Sequence, residues 1–104
     1  MHTLVEGDVH YISVYLMEQD PNTGESQYFD LTDANTVIFR MKKYSSGAIS
    51  IDKEMEIVNA TLGYCRVLVT IPLEGKYKSE VEVRMDSQTI TFPGPKFVIV
   101  EDIA

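Results

Sequence analysis

The chain has 104 residues, enough for one domain that buries a core without disulfides or metals, and too few for two. Its formal net charge of −7 argues against binding to nucleic acid or to anionic membranes, because both interactions need clustered lysine and arginine. Its single cysteine, Cys65, excludes an intrachain disulfide and fits folding in a reducing compartment.

Apolar and polar side chains alternate along most of the chain, a pattern that predicts half-buried strands. Four segments show it most clearly, with predicted inward residues Ile12, Val14 and Leu16; Val37, Phe39 and Met41; Cys65, Val67, Val69 and Ile71; and Tyr77, Ser79, Val81, Val83 and Met85. Shorter candidate strands lie at 28–31, 49–52 and 55–58, and around the pairs Ile90 and Phe92, and Phe97 and Ile99.

Turn-forming residues separate these segments about every ten residues. The predicted turns are 20–24, 32–35, 45–47, 59–63, 74–75, 86–87 and 93–95. No segment keeps a helical period over three turns. We therefore predict an all-β protein in which residues 1–104 form a single domain, an antiparallel β-sandwich of about seven to nine short strands.

Residue types that often carry chemistry are present, but not in the patterns that the chemistry needs. His2 and His10 have no converging ligands for a metal ion. Residues 20–25 resemble the start of a calcium loop, but the glycine comes one position early, so a turn is the better interpretation. Cys65 alternates with Val67 and is interpreted as a buried thiol. We expect that the protein has no catalytic residue, cofactor or metal, and that it is not an enzyme.

Two surface features are candidate binding sites. Arg40, Lys42 and Lys43 form a basic cluster on an acidic protein, and they are either a solvated strand face or a contact to an acidic partner protein. The six tyrosines leave a sugar-binding surface open, because aromatic rings stack on sugar rings. The absence of tryptophan and the positions of Tyr11, Tyr15 and Tyr77 within strands favour packing roles instead.

A series of short motifs runs along nearly the whole chain. It begins with Gly7-Asp8, continues with FDLT at 29–32 and VIFRMKK at 37–43, and ends with GKYKSEVEV at 75–83, TFP at 91–93 and KFVIV at 96–100. In order and spacing this series resembles the N-terminal domain of phage baseplate upper proteins. Phe29 and Leu31 would anchor a corner in the core, with Thr32 or Asp33 hydrogen-bonded to the turn backbone.

The resemblance implies an immunoglobulin-like sandwich in the virion, made in the host cytoplasm, that docks on other phage structural proteins. The expected location is the tail, the baseplate or the host-adhesion apparatus, and self-association is left open. The family's domain usually precedes a long portion with a helical stalk, whereas this sequence stops at Ala104, so an adaptor role is expected. The alternatives are a carbohydrate-binding or adhesin module, and a capsid decoration protein.

The first ten residues lack the basic and apolar regions of a signal peptide, and no apolar run is long enough to span a bilayer. We therefore expect no export by the usual route and no membrane partner.

Overall fold

Extended backbone dominates the structure, a computed structural model that describes residues 2–103. Ten strands follow the alternation seen in the sequence: β1 (His2–Val5), β2 (Val9–Tyr15), β3 (Met17–Gln19), β4 (Ser26–Tyr28), β5 (Thr36–Lys43), β6 (Ile49–Glu54), β7 (Glu56–Asn59), β8 (Tyr64–Thr70), β9 (Gly75–Arg84) and β10 (Thr89–Val100). One short 3₁₀ helix, Ala60–Leu62, lies between β7 and β8. The prediction of an all-β protein is confirmed.

The strands form two larger sheets and one hairpin. A five-stranded sheet has the order β1-β10-β9-β5-β6, a three-stranded sheet has the order β2-β8-β7, and β3 pairs with β4. The chain crosses between the two larger sheets at Met55, which lies between β6 and β7 and donates its backbone N–H to the carbonyl of Val37 at 2.7 Å. These layers are consistent with the predicted sandwich.

Inward side chains from both sheets meet in one apolar core. The five-stranded sheet contributes Val37, Phe39, Met41, Ile51, Tyr77, Val81, Val83, Phe97 and Ile99, and the three-stranded sheet contributes Ile12, Cys65, Val67 and Val69. The predicted inward faces of the four clearest segments are confirmed, although Val14 and Met85 are only half-buried against this core. Alternation predicts these positions well because one face of each strand is dry.

One pairing differs from the predicted antiparallel arrangement. β1 runs parallel to the last part of β10, with His2 opposite Phe97 and Val5 opposite Val100, so the five-stranded sheet is mixed. No strand was predicted at residues 2–5, because four residues with only two half-buried side chains carry too short a pattern.

The turn predicted at 93–95 is wrong. β10 is one strand of 12 residues, and its register against β9 shifts between Pro93 and Lys96. Prolines are tolerated at such a bulge and on a strand edge, where a missing N–H breaks no ladder bond. Both conditions hold here, because β1 pairs only with Phe97–Val100 of β10 and leaves the preceding edge free.

The corner between β4 and β5 is anchored as predicted, but a different side chain closes its turn. Leu31 is buried, and the half-buried Phe29 meets the ring of Phe92 edge-on at 5.1 Å. The carboxylate of Asp30, rather than Thr32 or Asp33, accepts hydrogen bonds from the hydroxyl and the backbone N–H of Thr32. These bonds hold the pKa of Asp30 below its ordinary value. The candidate strand at 28–31 lies slightly earlier, in β4.

Candidate binding surface

Two of the three predicted contact residues lie on the outer face of the five-stranded sheet, where each is paired with carboxylates. The guanidinium of Arg40 is 3.3 Å from Glu82 and 3.4 Å from Asp52. The ammonium of Lys42 is 2.5 Å from Glu80. The register sets Arg40 directly opposite Asp52 on β6, whereas the pairs with β9 are diagonal, because Glu80 lies opposite Arg40 and Lys78 lies opposite Lys42.

Glu82 is the centre of this charged network. It accepts hydrogen bonds from Arg40 and, at 2.7 Å, from Arg84. The bond from Arg40 and then the bond from Arg84 hold the pKa of Glu82 below its ordinary value of 4.5. Cations and anions are therefore mixed on this face, and Arg40 and Lys42 are each paired with a carboxylate, although Lys78 lies opposite Lys42.

Lys43 does not join the other two basic residues. It lies at the end of β5 opposite Tyr77, two positions after the buried Met41, and its side chain runs beside Gly75. The structure thus brings Arg40 and Lys42 together and places Lys43 in the opposite phase of the strand. A contact between these residues and an acidic partner stays a prediction, and such a partner would have to compete with the existing ion pairs.

The outer face of the three-stranded sheet has a different character. Because Ile12 points inward, its neighbours on β2 point outward, and Tyr11 and Tyr15 are 55% and 54% exposed. The register sets Tyr11 opposite Leu68 and Tyr15 opposite Tyr64. We call this surface the aromatic face, and it consists of Val9, Tyr11, Tyr15, Tyr28, Tyr64, Arg66 and Leu68.

Contacts between rings order the centre of the aromatic face. The rings of Tyr15 and Tyr64 stack with centroids 4.6 Å apart and planes only 9° from parallel. The ring of Tyr28, from the β3–β4 hairpin, lies 6.0 Å from that of Tyr15 in a tilted arrangement. Such pairs contribute about 0.5–1.5 kcal/mol beyond the area that they bury. Tyr15 and Tyr28 are therefore exposed and also held in position, with Tyr64 half-buried beside them.

Arg66 supplies the polar part of the aromatic face. Its guanidinium lies 4.6 Å from the centroid of the Tyr11 ring, a cation–π geometry. Its Nε donates a 2.7 Å hydrogen bond to Glu56 on the neighbouring strand β7. This hydrogen bond, together with the charge of Glu56, raises the pKa of Arg66. The cation thus lies over an exposed ring, and both arginine and tyrosine are enriched in protein interfaces.

The packing roles predicted for two tyrosines are wrong. Of Tyr11, Tyr15 and Tyr77, only Tyr77 is buried, and its hydroxyl donates a 2.7 Å hydrogen bond to the carbonyl of Leu73. The sequence indicates the outward position of the other two, because inward positions of Ile12, Val14 and Leu16 place the odd-numbered Tyr11 and Tyr15 on the opposite face of the strand.

The two histidines line one cleft, whereas Cys65 lies in the core. Among residues 2–103, no group of three or more histidine, cysteine, aspartate or glutamate side chains could hold a metal ion. His10 is 3.6 Å from Asp8, and the ring of His2 lies 5.7 Å from that of Phe97. Cys65 is buried, and this burial raises its pKa to about 11, so the thiol is not activated as a nucleophile.

Within the described part of the chain, no helix is both long and apolar enough to cross a membrane. No protein-family model matches the chain, and no curated protein has a matching sequence.

Proposed function

We propose that this protein is a non-enzymatic structural module of a phage virion, and that it docks on other virion proteins in the tail or baseplate through the aromatic face. The observation that carries the docking proposal is the ordered row of exposed and half-buried side chains around Tyr15, Tyr64 and Arg66. The assignment to a phage rests on the resemblance of the motif series to baseplate upper proteins.

The contrast between the two outer faces supports docking at the aromatic face. On the five-stranded sheet, Arg40 and Lys42 are already paired with carboxylates. On the three-stranded sheet, exposed apolar side chains such as Val9, Tyr15 and Leu68 lie at the surface. Large exposed apolar patches on soluble proteins mark interaction sites, and tyrosine and arginine are enriched among the residues that dominate binding energy. A standard interface would cover about 800 Å² on each partner.

We also propose that the sandwich is immunoglobulin-like, and the strand order supports this. In immunoglobulin-type sandwiches, strands A, B, E and D form one sheet and strands C, F and G form the other, with C′ added in the variable type. If β2, β8 and β7 correspond to B, E and D, then β10, β9, β5 and β6 correspond to G, F, C and C′, and β1 lies beside G. The β3–β4 hairpin is then an insertion between B and C.

The proposal is tested first by mass spectrometry of purified phage particles that encode the protein. We expect the protein in the particles, and in the tail fraction after disruption. Its absence from the particles would refute the phage assignment. Its presence only in the capsid fraction would instead support the alternative of a capsid decoration protein.

Docking is then measured by pull-down of disrupted particles on the immobilised full chain. Tyr15→Ser combined with Tyr64→Ser should weaken capture by about tenfold or more, as expected for truncation of dominant interface residues. The matched control is Arg40→Gln with Lys42→Gln on the other outer face, which should leave capture within about twofold. If only the control weakens capture, the basic cluster is the contact and the aromatic face is not.

A second candidate is a carbohydrate-binding module, and the exposure of Tyr11, Tyr15 and Tyr28 favours it. Carboxylate and guanidinium groups of Glu56 and Arg66 lie beside these rings and could bond sugar hydroxyls. Against it, Tyr15 and Tyr64 cover one ring face of each other, which leaves less ring surface for a sugar. Binding on a glycan array that is lost in Tyr11→Ala and Tyr28→Ala would select this candidate, and an array without binding would remove it.

A further inference from the structure

β2 has an unpaired edge with a defined hydrogen-bonding pattern. It pairs with β8 on one side, and no strand of residues 2–103 pairs with its other side. At its two ends, Asp8 accepts a hydrogen bond from Ile71, and Leu16 donates one to Gly63. Asp8 and Leu16 are both even-numbered. Because bonding direction alternates along an antiparallel strand, the even-numbered residues face β8. Val9, Tyr11, Ser13 and Tyr15 therefore direct their N–H and C=O groups to the free edge.

This edge lacks the protection that other free edges have. Charges, prolines, bulges and short length normally prevent a strand edge from pairing with another chain. The edge of β6 carries Asp52, Lys53 and Glu54, β7 has four residues and a register shift, and the free part of β10 carries prolines. β2 reads VHYISVY, with no lysine, arginine, carboxylate or proline over seven residues.

A partly apolar cleft lies directly beside the free edge. It has a volume of about 160 Å³ and is lined by His2 and Leu4 of β1, by His10–Ser13 of β2, and by Pro95 and Phe97 of β10. It therefore lies between the two sheets, next to the position that a further strand of the smaller sheet would take. Alternate side chains of such a strand would point into this cleft, beside Ile12.

We propose that the free edge of β2 binds an extended segment of another protein, which becomes the fourth strand of the smaller sheet. The segment has apolar residues at alternate positions, which enter the cleft, and it lacks acidic residues because Glu6 and Asp8 flank the edge of a chain with net charge −7. The inference rests on the proposed function in taking the partner to be a protein, but it concerns a different surface from the aromatic face.

Charge argues against a second folded copy as the occupant. Two copies paired through their β2 edges would each bring a net charge of −7, and each would place its Glu6 and Asp8 beside the shared edge. An extended segment without acidic residues avoids this repulsion and can enter the cleft that His2 and Leu4 of β1 line beside the edge.

The probe is the blocked peptide Lys-Thr-Val-Thr-Val-Thr-Val-Thr-Lys, added to the full chain at about 1 mM, the weak end of measurable affinity. Hydrogen exchange by NMR gives a residue-specific readout. The amides of Tyr11, Ser13 and Tyr15 should exchange quickly in the free protein and at least about twofold more slowly with peptide, because half of the protein is bound at a Kd of about 1 mM and exchange requires opening of a hydrogen bond. The amides of Ile12 and Val14 should be slow in both states, because they bond β8.

Two N-methylated peptides test the backbone mechanism with side chains unchanged. Methyl groups on the nitrogens of the two central threonines should abolish binding if the segment runs antiparallel to β2, and methyl groups on the valine nitrogens should abolish it if the segment runs parallel. In each case the other peptide should still bind, because its methyl groups point away from β2. Equal binding of both methylated peptides would overturn the proposal, as would unchanged exchange at Tyr11, Ser13 and Tyr15 with the unmodified peptide.

A protein variant gives an independent test. Ser13→Pro removes one N–H from the free edge and none from the β8 ladder, so the variant should fold and lose peptide binding. The matched control Ser13→Thr keeps the N–H and should bind as the wild type does. A folded Ser13→Pro variant with full peptide affinity would also refute strand addition. Because these measurements use the isolated protein, they succeed or fail separately from the virion assignment.

Discussion

The hydroxyl of Ser79 donates a 2.6 Å hydrogen bond to the carbonyl oxygen of Pro95 and so connects β9 to the bulge of β10. Gly94 lies against the same side chain, since a Cβ at position 94 would be 2.4 Å from the Ser79 hydroxyl oxygen. β10 can continue through Pro-Gly-Pro because the small side chain of Ser79 on β9 packs against Gly94, which has no side chain.

Gly94→Ala should therefore reduce the free energy of unfolding by about 1–3 kcal/mol, the usual cost of overpacking. Ser79→Ala should cost about 1 kcal/mol through loss of its hydrogen bond. In the double variant the clash with the hydroxyl is gone, so the combined loss should be smaller than the sum. Urea denaturation of the four proteins measures this, and strictly additive losses would contradict the proposed contact.

Gly63 and Gly47 form a matched pair for separating backbone strain from steric clash. Both have positive φ, at 58° and 69°. A Cβ on Gly63 would lie 2.7 Å from the carbonyl oxygens of Leu16 and Phe29, whereas a Cβ on Gly47 would meet nothing within 4 Å. Gly47→Ala should cost about 1 kcal/mol from strain alone. Gly63→Ala should cost clearly more in the same denaturation assay, and equal losses would show that the loop at Gly63 relaxes freely.

Cys65 should be chemically silent in the folded protein, because it is buried and its pKa is raised to about 11. Ellman's reagent at pH 8 should label it only after denaturant is added. Cys65→Ser should reduce the free energy of unfolding by about 1–3 kcal/mol, because the hydroxyl loses its bonds to water. Cys65→Ala, which introduces no polar atom, should cost less. Rapid labelling of the native thiol would contradict the buried position.

Glu82 should make stability depend on acid pH. Its pKa lies below the ordinary value of 4.5 in the folded state because it accepts hydrogen bonds from Arg40 and Arg84. Because of the lowered pKa, Glu82 takes up its proton at a lower pH in the folded state than in the unfolded state. The stabilisation is therefore complete above pH 4.5 and is lost as the pH falls through the folded-state pKa. Thermal unfolding of the wild type and of Glu82→Gln should therefore differ most above pH 4.5 and converge below it. A gap that stays constant down to pH 2 would exclude this residue as the cause.

Alternation along single strands was sufficient to predict much of the fold. Val37, Phe39 and Met41 lie in the core as predicted, because one dry face imposes a period of two on any half-buried strand. The bulge at Gly94 could not be predicted this way, since it depends on Ser79, 15 positions earlier in the sequence. The local Pro-Gly-Pro sequence signals a turn, and only the neighbouring strand shows that the chain continues.

The candidate surfaces were partly predictable for the same reason. The outward position of Tyr15 follows from the inward position of Leu16, but its contact with Tyr64 follows only from the register of β2 against β8. Likewise the sequence places Arg40 and Lys42 on one strand face, while their carboxylate partners come from β6 and β9. Which side chains share a surface is decided by cross-strand register, which one sequence does not contain.

The parallel alignment of β1 with the end of β10 has a mechanical consequence. If the chain is pulled from the N-terminal side of His2 and the C-terminal side of Val100, the two strands are drawn past each other along their length. Their ladder is then loaded in shear, so its bonds share the tension instead of opening one after another as in a peeled hairpin. A module built this way would resist stretching between its two ends.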